Sequence, residues 1–138
     1  MDIKNYVFSD QGLQALDNGA WVSDVGGDPD FSLLVRGLRS DPVRKATEAK
    51  QAKIRAKKKG KDLTPEEVTQ VFKEVICEKV LLGWKGLESD GQEIPYDPEL
   101  AKSWIMERTG EKFTNLVITA AQSLDESPDD FIEAAAKN

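Results

Sequence analysis

Residues 64–87, TPEEVTQVFKEVICEKVLLGWKGL, carry the strongest structural signals of the chain. Thr64 is a favourable N-cap, Pro65 suits the first helical position, and Glu67 stands where it can complete a capping box. Apolar residues then recur at the spacing of one buried helical face, at Val68, Val71, Phe72, Val75 and Ile76. We therefore predict an amphipathic helix that begins after Thr64 and stops at Gly83, with the core forming around it.

The last part of this stretch predicts a tight aromatic loop. Residues 80–82 extend the buried helical face, and residues 83–87, GWKGL, place Trp84 and Leu87 beside two glycines. Glycine allows the backbone to turn sharply. We expect this loop to fold back over the end of the helix.

Length and composition restrict the class of protein. The 138 residues suffice for one domain with a hydrophobic core and are too few for two. Charged residues make up 32% of the chain and the formal net charge is −6, which disfavours a basic nucleic-acid-binding domain. No apolar run is long enough to cross a bilayer, and residues 1–5 lack the pattern of a signal peptide. We expect the protein in the cytoplasm.

The chain has one cysteine, Cys77, and no histidine. These counts exclude an internal disulfide, a structural zinc site within the chain, and Ser-His-Asp or Cys-His catalysis. We predict no catalytic residue, no cofactor site and no metal site, and therefore no enzyme. Cys77 is interpreted as a buried structural thiol rather than a reactive one.

Residues 1–39 predict a strand and hairpin region. Residues 6–8 form a short strand-like run, and two strands at residues 20–22 and 31–36 flank a turn-rich segment that contains Gly26-Gly27-Asp28-Pro29. A β-hairpin is the natural interpretation. Its open edges offer one route by which copies of the chain could pair.

Residues 40–62 predict a basic helical arm that begins after Ser40 and runs to about Lys59. Its inward positions are mostly small, and it carries nine basic residues: Arg44, Lys45, Lys50, Lys53, Arg55, Lys57, Lys58, Lys59 and Lys61. Packing supplies most helical stability, and this face offers little to bury. We expect a projecting or mobile arm.

Residues 63–138 predict a helical core. A polar turn at Asp90-Gly91 and an extended segment at residues 94–96 follow the central helix. Further helices are expected after Asp97, over about residues 112–124, and from Ser127 to Asn138. The fold class is α+β, a mostly helical single domain over residues 1–138 with an N-terminal β-hairpin.

The basic run at residues 55–61 leaves three interpretations open. It can be a solvated helix end whose lysines suit the helix dipole. It can dock an acidic protein surface, or it can bind the phosphates of a nucleic acid, although no aromatic residues interleave for base stacking. A small nucleic-acid-associated protein that uses residues 44–61 is therefore the alternative functional hypothesis.

The other candidate motifs have structural explanations. The acidic pairs at residues 66–67 and 129–130 fall in first helical turns, residues 90–93 contain only fragments of a calcium loop, and Gly26-Gly27 lacks the phosphate-loop pattern. Trp21, Trp84 and Trp104 are interpreted as core residues, and an exposed tryptophan would be a hot-spot candidate.

Four segments together resemble the tail assembly chaperones of long-tailed, lambda-like bacteriophages. They are DNGAWV at residues 17–22, LVRGL at 34–38, LGWKGL at 82–87 and GQEIPY at 91–96. The resemblance covers most of the chain but not the lysine-rich arm. It implies a non-enzymatic protein that binds the tape-measure protein, keeps its helices soluble and recruits tail tube subunits during tail morphogenesis.

The same resemblance implies further partners and a location. Such proteins are expected as homo-oligomers in the host cytoplasm, absent from the mature virion, together with a longer form made by ribosomal frameshifting. Codons for Ala136-Lys137-Asn138 permit the adenine run that backward slippage needs. Grooves between helices are the general mode of binding amphipathic helices, and many copies along one client would give avidity. The sequence assigns no client-binding residues.

Overall fold

The computed structural model describes residues 1–136 as an α+β fold, mostly helical, with the predicted N-terminal β-hairpin. The α-helices are α1 (Asp10–Asn18), α2 (Asp41–Lys57), α3 (Pro65–Val75), α4 (Pro98–Ile105) and α5 (Glu111–Glu126). The strands are β1 (Ala20–Val22), β2 (Ser32–Val35), β3 (Leu81–Lys85), β4 (Glu88–Ser89) and β5 (Gln92–Glu93). The fold class expected from the sequence is therefore confirmed.

The predicted hairpin is extended by a strand that the sequence analysis missed. The antiparallel sheet has the order β1-β2-β3, with Ala20 opposite Val35 and Leu33 opposite Trp84. Residues 81–85 are therefore the third strand, and the predicted aromatic loop at residues 83–87 is wrong. Gly83 does not stop a helix: it lies inside β3, where a Cβ atom would stand 3.6 Å from the side chain of Leu34.

The central helix has the predicted start and an earlier end. Thr64 Oγ1 accepts from the Glu67 backbone at 3.2 Å, and Glu67 Oε1 accepts from the Thr64 backbone at 2.8 Å, which confirms the capping box. α3 ends at Val75, and a π-helical segment, Ile76–Val80, leads directly into β3. The wider turn keeps both Ile76 and Val80 fully buried at the point where the helix becomes a strand.

The predicted buried face of α3 is only partly buried. Val71, Val75 and Ile76 lie in the core, whereas Val68 and Phe72 are 46% and 40% exposed. The first half of α3 has the end of α2 as a neighbour, where Lys58 Nζ donates to Glu67 Oε1 at 2.6 Å. Periodicity identifies the apolar face of a helix, but it does not show how far along the helix the core reaches.

The basic helix α2 does not project alone, which corrects the expected arm. It packs along α3, with Val43 buried and Ala46 and Ile54 partly buried against the core. Lys50 Nζ lies 3.0 Å from Glu78 in the π-helical segment. A cluster of small apolar contacts and side-chain ion pairs is therefore sufficient to hold the helix on the domain.

Residues 10–18 form a helix, α1, inside the region that the sequence predicted as strand and hairpin. Ser9 is the N-cap of α1 and accepts from the Gly12 backbone at 2.9 Å, while its own hydroxyl donates to Asp129 at 2.8 Å. Residues 6–8 are not a strand, and their side chains are exposed. α1 is held by the distant turn that contains Asp129, which no local pattern indicates.

The expected last helix is also wrong. A 3-10 turn, Pro128–Phe131, follows α5, and residues 134–136 then run along β1. The Trp21 backbone donates to the Ala134 carbonyl at 2.9 Å, and the Ala136 backbone donates to the Gly19 carbonyl at 2.8 Å. These bonds cover the outer edge of β1, so this edge is not open for pairing between copies. Lys137 and Asn138 lie outside the described residues.

An aromatic cluster joins the sheet to the helices. Trp84 is 5% exposed, and its indole N–H donates to the Ile94 carbonyl at 2.8 Å. Tyr96 and Phe113 present ring edges to it at centroid distances of 4.9 and 5.9 Å, and Trp104 stacks at 5.6 Å. The core position expected of Trp84 is confirmed, and Trp104 is partly buried beside it.

A buried carboxylate fixes the connection between β2 and α2. Asp125 of α5 is 6% exposed and accepts from the backbone N–H groups of Leu38 and Arg39 at 3.0 and 2.9 Å. Burial raises the pKa of this carboxyl group, while the two backbone hydrogen bonds oppose the shift.

The substitution Asp125→Ala is expected to lower the free energy of unfolding by about 2–3 kcal/mol, because two backbone donors lose their charged acceptor. Glu126→Ala removes a neighbouring but exposed carboxylate and should stay within about 0.5 kcal/mol of the parent. Urea unfolding measures both. Equal losses for the two variants would contradict the proposed role of Asp125.

Two glycines with the same backbone geometry provide a second test. Gly86 and Gly91 have φ angles of 79° and 80°. A Cβ atom on Gly86 would collide with the backbone carbonyl of Asp30, whereas a Cβ on Gly91 meets nothing within 4 Å. Gly91→Ala should lower the free energy of unfolding by about 1 kcal/mol, because alanine disfavours the left-handed conformation. Gly86→Ala should lower it by clearly more in the same unfolding experiment. Equal losses for the two variants would show that the collision with the Asp30 carbonyl does not affect stability.

Candidate functional site

A groove of about 640 Å³ lies between α3, the π-helical segment and α4. We call it the α3–α4 groove. Its apolar and weakly polar lining consists of Cys77, Leu81, Leu82, Tyr96, Pro98 and Met106, and its charged or amide-bearing lining consists of Gln70, Glu74, Glu78, Glu99 and Lys102. A volume of this size lies within the range of roughly 300–1,000 Å³ that is typical of ligand-binding clefts.

The fold positions the groove lining through three different elements. Cys77 follows the buried Ile76 in the π-helical segment, and Leu81 and Leu82 begin β3. Tyr96 lies on the extended segment before α4, where its ring packs edge-on against Trp84 and its hydroxyl donates to the Leu81 carbonyl at 3.5 Å. The groove therefore depends on the transition from helix to strand and on the aromatic cluster.

The rim of the groove is predominantly acidic. It presents three glutamates and Lys102, and Lys50 of α2 approaches Glu74 at 3.8 Å and Glu78 at 3.0 Å. Exposed ion pairs of this kind contribute about 0–1 kcal/mol each. The lining therefore combines apolar side chains with charged ones.

Two titratable groups of the groove, the Cys77 thiol and the Tyr96 phenol, favour their neutral forms. Burial raises the pKa of the Cys77 thiol, an effect that Lys102 partly opposes, and burial also raises the pKa of the Tyr96 phenol. A neutral thiol is a poor nucleophile. The groove is therefore suited to binding by shape and apolar contact.

The raised pKa predicts slow alkylation of Cys77. Iodoacetamide should react several-fold more slowly with the folded protein than with the urea-unfolded chain at the same pH, and the rate should keep rising at pH values where an ordinary thiol has already ionised. A matched control carries Cys77→Ala and Ser89→Cys, which moves the thiol to an exposed strand position. Equal rates for the parent and this control would contradict the burial of Cys77.

Basic residues predominate on a second surface, whose charge is opposite to that of the groove rim. The outer face of α2 consists of exposed residues: Arg44, Lys45, Glu48, Ala49, Ala52, Lys53, Arg55, Ala56 and Lys57. Lys58 is used in the turn that follows, where it donates to Glu67 and to the Asp62 carbonyl at 2.7 Å. Lys58 is therefore paired rather than solvated, whereas Lys57 and Lys59 are exposed at the end of the helix and in the turn.

A second apolar surface lies at the other end of the chain. The N-terminal apolar patch consists of Met1, Ile3, Tyr6, Val7, Phe8 and Leu13, all at least 39% exposed. α1, which follows it, packs on the turn at residues 128–131. Trp21 is half-exposed nearby in sequence, with Lys85 Nζ 3.9 Å from its ring centroid.

The remaining sequence candidates have structural roles. Asp90 and Gly91, with φ angles of 51° and 80°, form the two-residue turn between β4 and β5. The hydrogen bond from Lys58 is the main cause that lowers the pKa of Glu67. Asp129 binds Ser9.

Within residues 1–136 no group of three or more His, Cys, Asp or Glu side chains is arranged to hold a metal ion, and no described helix has the length and apolarity to cross a membrane.

Sequence reasoning did not find the α3–α4 groove. Its lining comes from segments that are up to 36 residues apart, from Gln70 to Met106. Leu82 was predicted in a helix and Tyr96 in a separate extended segment, so no pattern brought them together. The extended conformation predicted for residues 94–96 was the one local signal for this part of the site.

A family model described as a YdaY prophage protein matches residues 38–138. The match begins just before α2 and includes both the α3–α4 groove and the outer face of α2. It does not include α1, β1 and β2. The comparisons with curated proteins and with solved structures gave no match.

Proposed function

This chain belongs to the family of YdaY prophage proteins, and from that premise we propose that it is a non-enzymatic tail assembly chaperone. Its client is the tape-measure protein, whose helices it keeps soluble while tail tube subunits are recruited. It acts in the host cytoplasm and is absent from the mature virion. The phage origin of the family and the four segments that resemble such chaperones support this proposal.

The four segments are neighbours in the folded chain. Residues 17–22 end in β1, residues 34–38 begin in β2, and residues 82–87 begin in β3, so three of them meet in one sheet. The fourth, residues 91–96, is tied to the sheet by the hydrogen bond from Trp84 to Ile94. Short motifs that pack together in one unit support the resemblance more strongly than motifs scattered over the surface would.

The α3–α4 groove is the observation that carries the proposed binding mode. An amphipathic helix presents an apolar stripe flanked by polar residues, and the groove lining combines apolar with charged side chains. Leu82 and Met106 belong to this lining, and both are only partly buried. One groove would bind weakly, and many copies along a long client would hold it through avidity.

Co-expression with candidate tail proteins followed by pull-down tests the proposal. The parent should retain a tape-measure protein, and the double variant Leu82→Gln, Met106→Gln should retain at least about ten-fold less, because two apolar contacts become polar. Val68→Gln, Phe72→Gln is the matched control, since it makes the same change on the exposed part of α3 outside the groove lining. Circular dichroism checks that each variant is folded.

Protection of Cys77 provides a second readout of the same proposal. A bound client helix should slow alkylation of Cys77 and leave the Ser89→Cys control unchanged. Retention of no tail protein by the parent would overturn the chaperone function. Equal retention by the parent and the groove variant, or equal loss in the control variant, would overturn the groove as its site.

A further inference from the structure

The outer face of α2 is exposed to solvent in the part of the chain that the structure describes. Its opposite side packs on α3, whereas Arg44, Lys45, Lys53 and Lys57 are exposed. Three alanines of the same face, Ala49, Ala52 and Ala56, are exposed as well. Small side chains between long basic ones let another surface approach the helix closely, with lysine stems available for packing.

The charge of this region is opposite to that of the rest of the chain. Residues 41–61 contain nine basic and two acidic residues, which gives +7, whereas the whole chain carries −6. The other residues therefore carry −13. A surface of one sign on a molecule of the other sign favours contact between copies, because each copy offers what the other lacks.

The complementary surface is the acidic border of the N-terminal apolar patch. Glu126, Asp129, Asp130 and Glu133 are exposed at the turn on which α1 packs, and Asp10 is exposed at the start of α1. Two hydrogen bonds from Ser9, one from its backbone and one from its hydroxyl, hold Asp129 at the junction. Phe8 of the apolar patch lines one cavity with Glu126, Asp129 and Asp130, and Lys4 lies at the same cavity.

The two surfaces do not neutralise each other within one molecule. Among the residues that the structure describes, the ion pairs of the basic segment go to Glu74, Glu78, Asp62 and Glu67. These partners lie on α3, in the π-helical segment or in the preceding loop. The basic outer face of α2 and the acidic surface therefore both remain available for contact.

We propose that the outer face of α2 docks on the acidic border and N-terminal apolar patch of a second copy of this chain. The two contact surfaces differ, so each copy uses both at once. Repetition of this head-to-tail contact gives rings or open chains. Charge provides orientation and encounter rate, and the apolar patch provides area removed from water. This inference does not rest on the tail-chaperone proposal, and it replaces the hairpin edges as the route of self-association.

Sedimentation of the purified full chain, without client, tests the contact. At low salt the parent should form species larger than one chain, and these should dissociate as salt rises from about 0.05 M to about 0.5 M. Two double variants should each sediment as monomers. The first carries Lys53→Gln and Lys57→Gln, and the second carries Glu126→Gln and Asp130→Asn. Two control variants, Arg108→Gln with Lys112→Gln and Glu88→Gln with Glu93→Gln, remove the same charge from other exposed positions and should assemble like the parent.

Mixing the two deficient variants gives the sharpest outcome. The first retains an intact acidic surface and the second an intact basic face, so an equimolar mixture should form one-to-one heterodimers and nothing larger. A monomeric parent at low salt, loss of assembly in the control variants, or a mixture that stays monomeric would each overturn the proposal. Salt-dependent DNA binding by a monomeric parent, lost in Lys53→Gln, Lys57→Gln, would instead favour the nucleic-acid interpretation.

Discussion

The architecture depends on the environment of one indole ring. Trp84 belongs to β3, donates to the Ile94 carbonyl, and contacts aromatic rings from the segment before α4, from α4 and from α5. Aromatic pairs of this geometry contribute roughly 0.5–1.5 kcal/mol each beyond their buried area. Because the ring joins the sheet to the second half of the chain, it also holds Tyr96 and the strand that form one side of the α3–α4 groove.

Local chemistry made much of the fold predictable. The capping box at Thr64, the N-cap at Asp97 with Pro98 behind it, and the Asp90-Gly91 turn are all decided by residues within four positions of each other. The β1–β2 hairpin follows from two apolar runs and the turn formers between them. These elements need no information about the rest of the chain, which is why the sequence sufficed for them.

The errors have a common physical cause, since each depends on a distant partner. The apolar run at residues 80–84 suits a helix or a buried strand equally, and only pairing with β2 makes it β3. α1 is tied to Asp129, and residues 134–136 pair with β1 instead of extending a helix. The α3–α4 groove needs all of these placements at once, so its lining could not be predicted, and the exposure of Val68 and Phe72 was hidden for the same reason.

The uneven distribution of charge has a practical consequence for handling the protein. A sequence with an isoelectric point near 4.8 is usually assigned to an anion exchanger at neutral pH. Adsorption, however, responds to the surface that faces the matrix, and the outer face of α2 presents a basic strip to a sulfonate or phosphate resin. The overall charge of the chain therefore conceals a basic strip that is available to a cation-exchange resin.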